Sequence, residues 1–175
     1  MSSTHHLKII RKMMLKIRHW PDPILFKRCQ EWDFKNHSYQ IDQLESDMIE
    51  TMTKNDGIGL AANQVGISYR VLAIHVQLTN KYIVMFNPEI INISQEQNTN
   101  KEGCLSFPNI FLKISRPNSV EVRWFDKLKT QYTDTFTDID ATCILHEIDH
   151  LDGKVFKDYV SDLKFNLAMK KGKKI

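Results

Sequence analysis

The stretch "LHEIDHLDG", Leu145 to Gly153, sets two histidines four residues apart with a glutamate directly after the first. On a helix rising about 1.5 Å per residue, His146 and His150 fall one turn apart on a shared face, so both imidazoles can converge on one metal ion. Glu147 then stands beside that ion without ligating it, where a carboxylate can take a proton from water and pass it on. A metal held this way needs a third protein ligand, and its identity separates classes of hydrolase. Peptidases of the pattern HExxHxxGxxH use a third histidine; here Gly153 keeps the glycine, but Phe156 stands in the last histidine's place. An acidic ligand further along is open in form, with Asp158 and Asp162 nearest, yet neither sits in a motif that recommends it. Cys104 is the better choice, because "EGCLS" lies between a polar stretch and Pro108, where a tight, irregular backbone can aim a thiolate. Two imidazoles and one thiolate leave a fourth position for water, the composition of a catalytic site and not of a structural one. Cys143, three residues before His146, is the rival ligand; a Cys143, His146 and His150 string would spread over two turns of one helix and close poorly around one ion.

The chain that must position these residues has 175 residues, 42% of them hydrophobic, which suits one compact domain with a sizeable core. Its formal charge of +3 is concentrated at the ends, with Lys8, Arg11, Lys12, Lys16 and Arg18 in front and Lys170, Lys171, Lys173 and Lys174 behind. Such ends are more often solvated decoration than a dedicated binding arm, and the near-neutral interior names no partner. Three cysteines make no disulfide framework, and an odd count suits a reducing compartment. No apolar run approaches the roughly 18 residues that span a bilayer. The expectation is a cytoplasmic, soluble protein without a membrane contact, and the acid-free first 20 residues leave an organellar address open. "MLKIRHWPDPIL" from Met14 reads as the natural start of the domain, so residues 1–13 are expected to be a basic extension without fixed structure and 14–175 a single domain.

Along that domain, a short extended segment from Met14 meets Pro21 and Pro23, which make "WPDP" a turn or irregular arm. Ile41, Leu44, Met48 and Met52 recur at helical spacing and predict a helix from about Ser38 to Lys54, its methionines filling core. "NDGIGLAANQVG" is too rich in glycine for a regular element and too apolar for an ordinary surface loop, so its backbone is expected to approach something closely. "RVLAIHVQ" and "KYIVMFNPEIINIS" read as strands, with His75 a packed or surface histidine and not a ligand. "SQEQNTNKEG" reads as a polar loop, and "NSVEVRWFD" and "TQYTDTFTD" as further strands. Asp138 or Asp140 is expected to cap the helix that carries the histidines, with Ile144, Leu145, Ile148 and Leu151 facing a sheet and Gly153 stopping it. A terminal helix, capped by Ser161, turns Leu163, Leu167 and Met169 inward. The pattern predicts an α+β fold: antiparallel strands packed around a central HExxH helix, with one further helix in the N-terminal half and one at the C-terminus.

Three segments together, "GIGLAANQ" (Gly57 to Gln64), "EGCLS" and "HEIDH", resemble the three motifs of the peptide deformylases, in their order and at compatible separations. Asn87-Pro88 and "HLDG" match as well, and the likeness runs from about Met14 to Lys171. The resemblance implies an enzyme that removes the formyl group from the initiator methionine of nascent peptides and releases formate. It implies Cys104, His146 and His150 as metal ligands, holding Fe2+ with Zn2+ or Ni2+ able to substitute. It implies Glu147 as general base and acid towards water activated by the metal, with Gln64 and the Leu105 backbone N–H stabilising the oxyanion. The substrate wall expected from it comprises Ile58, Gly59, Leu60, Gly103, Phe107, Phe111 and Ile144. The partners expected are N-formylmethionyl nascent peptides and, through the basic C-terminus, a weak ribosome contact, with the protein a monomer.

Some positions depart from the pattern. Leu145 stands where a glutamine is common, Lys129 where a turn glycine is common, and Phe111 where a glycine or a basic residue is common. Ile110, Phe111 and Leu112 could form an apolar rim beside the metal loop or simply start a strand. Two other functions remain compatible with the residues: an HExxH metallopeptidase of another class, which would cut internal peptide bonds, and a deformylase-like protein that binds without catalysis.

Overall fold

In the computed structural model, residues 13–35 and 39–172 are described. Residues 1–12 of the expected extension and Ser38, the expected helix start, lie outside them. Helix α1 (Ile41–Lys54) precedes the short strand β1 (Gly59–Ala61) and the strands β2 (Val71–Val76) and β3 (Lys81–Ile93). Then follow β4 (Gln97–Cys104), β5 (Phe107–Pro117), β6 (Ser119–Phe125), β7 (Gln131–Thr137), α2 (Asp138–Leu151) and α3 (Asp162–Gly172). Five strands form an antiparallel sheet in the order β1-β2-β3-β6-β7, while β4 and β5 pair as a separate ribbon. This is the α+β class that the sequence pattern predicts.

Strand alternation explains why helices pack on both faces of the larger sheet. From β2, Leu72, Ile74 and Val76 enter one core with Ile144, Leu145, Ile148 and Leu151 of α2. Val71 and Ala73 enter the other, with Leu44, Met48 and Met52 of α1, all three fully buried. A third core lies beneath α3, where Phe165 meets Phe107, Ile110 and Leu112 of β5. His75 sits at the surface, bonded to Asn80 Oδ1 at 2.7 Å and stacked on Tyr82.

Four expectations need correction. The polar "SQEQNTNKEG" is largely strand: β4 pairs with β5 from Gln97↔Pro117 to Gly103↔Phe111. Cross-strand pairing overrides its poor strand propensity, and its polar side chains stay largely exposed except Glu102. Neither Asp138 nor Asp140 caps α2; Thr137 holds the cap position without a side-chain bond, and Asp140 instead accepts the Gln77 and Leu78 N–H groups at 2.8 and 3.2 Å. On α3, Leu163 and Leu167 are exposed; the buried face carries Phe165 and Gly172, with Ala168 and Met169 packed beside it. Met13, expected to lie in the extension, donates its N–H to Asp47 Oδ1 at 2.7 Å.

Other turn chemistry follows the sequence. Asp22 accepts the Ile24 N–H and caps a 3-10 turn at Pro23–Phe26, and Ser161 Oγ accepts the Lys164 N–H. Gly153 ends α2 at φ +75°, where a Cβ would also lie 2.8 Å from the Phe26 carbonyl oxygen. Lys129 adopts φ +63°, the conformation for which a glycine is the usual residue.

Candidate active site

The tip of the β4–β5 ribbon folds against α2. A register shift between Gly103 and Cys104 interrupts the ladder there, so that Cys104, the last residue of β4, pairs with Phe107. Its sulfur lies 3.2 Å from His150 Nε2, and one ligand atom from each of Cys104, His146 and His150 falls within 4.8 Å of the others. Among the described residues this is the one group of three such side chains. Cys143 lines the same cleft but stands outside this cluster: its thiol donates to the Ile58 carbonyl at 3.4 Å, and burial pushes its pKa well above the usual thiol value. Asp158 accepts from the Val155 N–H and Asp162 pairs with Lys157, so both are engaged at the α3 end.

Glu102, which the sequence reading passed over inside "EGCLS", orients the first histidine. Its Oε2 meets His146 Nδ1 at 2.8 Å, which leaves Nε2 for the cluster. Arg116 grips both oxygens of Glu102 and reaches Asp149 Oδ2 at 2.8 Å, while its guanidinium lies 4.8 Å from the Tyr159 ring centre. Burial alone would raise the Glu102 pKa, but hydrogen bonds from His146 and Arg116 hold it below the ordinary value. Burial would lower that of His146, and hydrogen bonds to Cys104 and Glu102 raise it well above the ordinary value instead. His150 moves the other way, lowered by burial and by the charges of His146 and Arg116.

Glu147 is 5% exposed, and burial pushes its pKa up to about 7 against the pull of His146 and Arg116. Its Oε2 has no hydrogen-bond partner among the described residues. A Cβ at Gly59 would collide with Glu147 Oε1 and lie 2.7 Å from Cys143 Sγ, so any side chain there would displace the carboxylate. The close backbone approach expected of the glycine-rich segment is therefore to the carboxylate. Gln64, buried in the following 3-10 turn, accepts the Ala61 N–H at 2.8 Å and directs Nε2 at Cys104 Sγ (3.5 Å) and Ser106 Oγ (3.1 Å).

A cleft of about 930 Å³ opens onto this floor. Of the expected wall, Ile58, Gly59, Gly103, Phe107 and Phe111 line it, together with Leu105. Leu60 and Ile144 do not: both are fully buried, because Leu60 alternates to the α1 side of β1 and Ile144 faces the sheet from α2. The run Ile110 to Leu112 is a strand, burying Ile110 and Leu112 and leaving Phe111 at the rim, 53% exposed. The extended segment expected from Met14 to Pro21 is a strap along the cleft, whose Met14, Lys16 and His19 line it, a placement that the sequence reading did not foresee. Its N–H groups bond to Thr51 Oγ1, Gln64 O and Ser106 O, contacts between distant segments that no local pattern announces.

The donor set fits a divalent transition metal: one sulfur and two imidazoles converge, one imidazole is oriented by a carboxylate, and a free buried carboxylate oxygen lies beside them. The family model for polypeptide deformylase matches residues 14–166. The chain belongs to the polypeptide deformylase family. It is 42% identical over 159 residues to a peptide deformylase of Bartonella tribocorum, covering 88% of each chain. The structure of a peptide deformylase from Ehrlichia chaffeensis in complex with actinonin superposes with a TM-score of 0.84 at 38% identity, over 92% of this chain and 96% of that one. A class I type b peptide deformylase from Acinetobacter baumannii with Met-Ala-Ser bound superposes with a TM-score of 0.80 at 28% identity, over 86% and 100%. Deformylases are metal-dependent hydrolases, and the cluster at Cys104 is where this member can hold its metal. No described helix is long and apolar enough to cross a membrane.

Proposed function

We propose that this chain, as one catalytic domain over residues 14–175, hydrolyses the formyl group from the initiator methionine of nascent polypeptides and releases formate. The observation that carries this is the convergence of Cys104, His146 and His150 beside the Glu147 carboxylate, at the floor of a cleft wide enough for a peptide. Cys104, His146 and His150 would hold the ion, which we assign as Fe2+, with Zn2+ or Ni2+ able to replace it. When bound, it supplies Lewis acidity towards a formyl carbonyl and a water.

Glu147 accepts the proton of the attacking water at its unpartnered Oε2 and returns it to the departing nitrogen. A pKa near neutrality in the metal-free protein suits a group that must both take and give a proton. The Leu105 N–H and the Gln64 N–H now directed at Cys104 donate to the formyl oxygen as charge develops, each such donor contributing about 3 kcal/mol. Ile58, Gly59 and Phe107 face the methionine side chain, and the backbone of the edge strand β1 pairs with the extended peptide. The Acinetobacter enzyme's Met-Ala-Ser ligand, which starts with methionine, supports a methionine-led peptide as the occupant of this cleft. The protein works as a cytoplasmic monomer, and the basic end of α3 at Lys170 and Lys171 gives it a weak, salt-sensitive ribosome contact.

The test is formate release from a formyl-methionyl peptide by protein loaded with metal under anaerobic conditions, run beside an unformylated peptide. Formate from the first and an intact second are expected. Cleavage of internal bonds without formate would overturn the reading.

A further inference from the structure

The two imidazoles that face Cys104 are held differently. His146 has Glu102 on Nδ1, and Arg116 fixes Glu102 in turn. His150 is 1% exposed, and its Nδ1 has no hydrogen-bond partner among the described residues. The side chain bonded to the main chain of His150 is Asn63, itself fully buried, whose Nδ2 donates to the His150 carbonyl at 2.6 Å. That contact settles the amide's orientation, since a flip would set two oxygens against each other at the same distance. Asn63 Oδ1 is therefore the spare acceptor, and it too is buried without a partner. A spare buried acceptor and a spare ring nitrogen occur on two residues that already touch, and buried polar groups are nearly always satisfied. Asn63 also precedes Gln64, whose Nε2 reaches the Cys104 sulfur, so one short loop addresses both the helix end and the thiol.

We propose that Asn63 is the positioning residue for His150, the counterpart of Glu102 for His146. Its Nδ2 pins the end of α2 to the loop, and its Oδ1, directly or through one water, accepts from His150 Nδ1–H. The bare Nε2 is thereby kept on the side of Cys104. This rests on the reading of His150 as a metal ligand.

The experiment is zinc affinity by competition with a chelating dye, with the ring nitrogens of 15N-histidine protein observed by NMR in the metal-free and zinc-loaded states. In the parent, His150 should show the Nδ1–H tautomer in both. N63L should lose that preference in the metal-free state and bind zinc about 10- to 100-fold more weakly, the usual range for loss of an outer hydrogen-bond partner. Unchanged His150 ring signals and unchanged zinc affinity in a folded N63L would overturn the proposal. Should N63L fail to fold, N63D decides, because it keeps an acceptor oxygen in the same shape: retention of the Nδ1–H form supports the proposal, and appearance of the Nε2–H form overturns it. H150A separates the two readings. Parent-like zinc affinity in H150A would mean that the ligand assignment has failed, whatever Asn63 does.

Discussion

At the floor of the cleft, His146, Glu147 and His150 are 6%, 5% and 1% exposed, and their neighbours Glu102 and Arg116 are buried with them. At the mouth, Met14 and Phe111 are 66% and 53% exposed. A floor residue cannot be changed alone, since Glu102 serves both His146 and Arg116, and Arg116 serves Asp149 as well. Removing one member leaves another buried charge without its partner. A mouth residue touches solvent already, so its loss costs area and little else. Sensitivity to substitution should therefore fall steeply over the few residues between floor and rim.

The largest effect is expected at Glu147. E147Q keeps the shape of the side chain and removes the proton acceptor, so turnover should drop by about 10²- to 10⁴-fold while metal content stays at the parent level. Formate release and metal analysis on one preparation measure both; a fully loaded variant within tenfold of the parent rate would refute the role. Next comes Arg116, which does not itself line the cleft and acts there through Glu102. R116M should destabilise the protein by about 3–5 kcal/mol, because Glu102 and Asp149 lose a common cation in a buried site. Denaturant unfolding would show it, and a loss below about 1 kcal/mol would mean that the floor is less coupled than its contacts imply.

The two floor carboxylates should respond oppositely to pH in the metal-free protein. Glu102 is held below its ordinary value, so its contribution is present above the unfolded pKa of about 4.5 and lost as pH falls through the folded value. Glu147 is raised from 4.5 to about 7, so its contribution is present below 4.5 and lost as pH rises through 7. Metal-free E147Q should therefore be more stable than the parent at pH 8, by on the order of 2 kcal/mol, with the gap closing towards pH 5. Unfolding curves at the two pH values decide it, and a gap independent of pH would contradict the burial argument.

The same gradient governs what could be read from the chain alone. His146, Glu147 and His150 are legible because helical spacing fixes their mutual placement, the strand β6 because it alternates, and β2, β3 and β7 because they are rich in β-branched and aromatic residues. Cys104 was reachable by eliminating other ligands, but Glu102 and Arg116 were not: they lie 14 residues apart and meet only through the β4–β5 pairing, in a ribbon one of whose strands reads as a polar loop. Leu60 and Ile144 were placed on the substrate wall because they sit beside the right residues in sequence. A strand and a helix send such neighbours to other faces. The strap at residues 13–20 carries no periodicity, since its bonds run to α1, to Gln64 and to Ser106.

The smallest effect is expected at Phe111. Its ring packs on Gly103, where a Cβ would lie 2.8 Å from the ring edge, and Lys101 Nζ stands 4.7 Å from the ring centre. That arrangement holds the ring at the rim without tying it to Glu102, Cys104 or either histidine. A peptide leaving the cleft over this rim would cover part of the exposed face; at about 25 cal/mol per Å², a contact of some 50 Å² contributes about 1 kcal/mol. F111A should therefore raise KM for a formylated tripeptide about five-fold and leave kcat within two-fold, while formyl-methionine amide, which ends before the rim, shows no change in KM. A fall in kcat with KM unchanged would place Phe111 in the coupled floor, and equal KM increases for the long and the short substrate would mean that the ring shapes the methionine pocket and not the path of the chain beyond it.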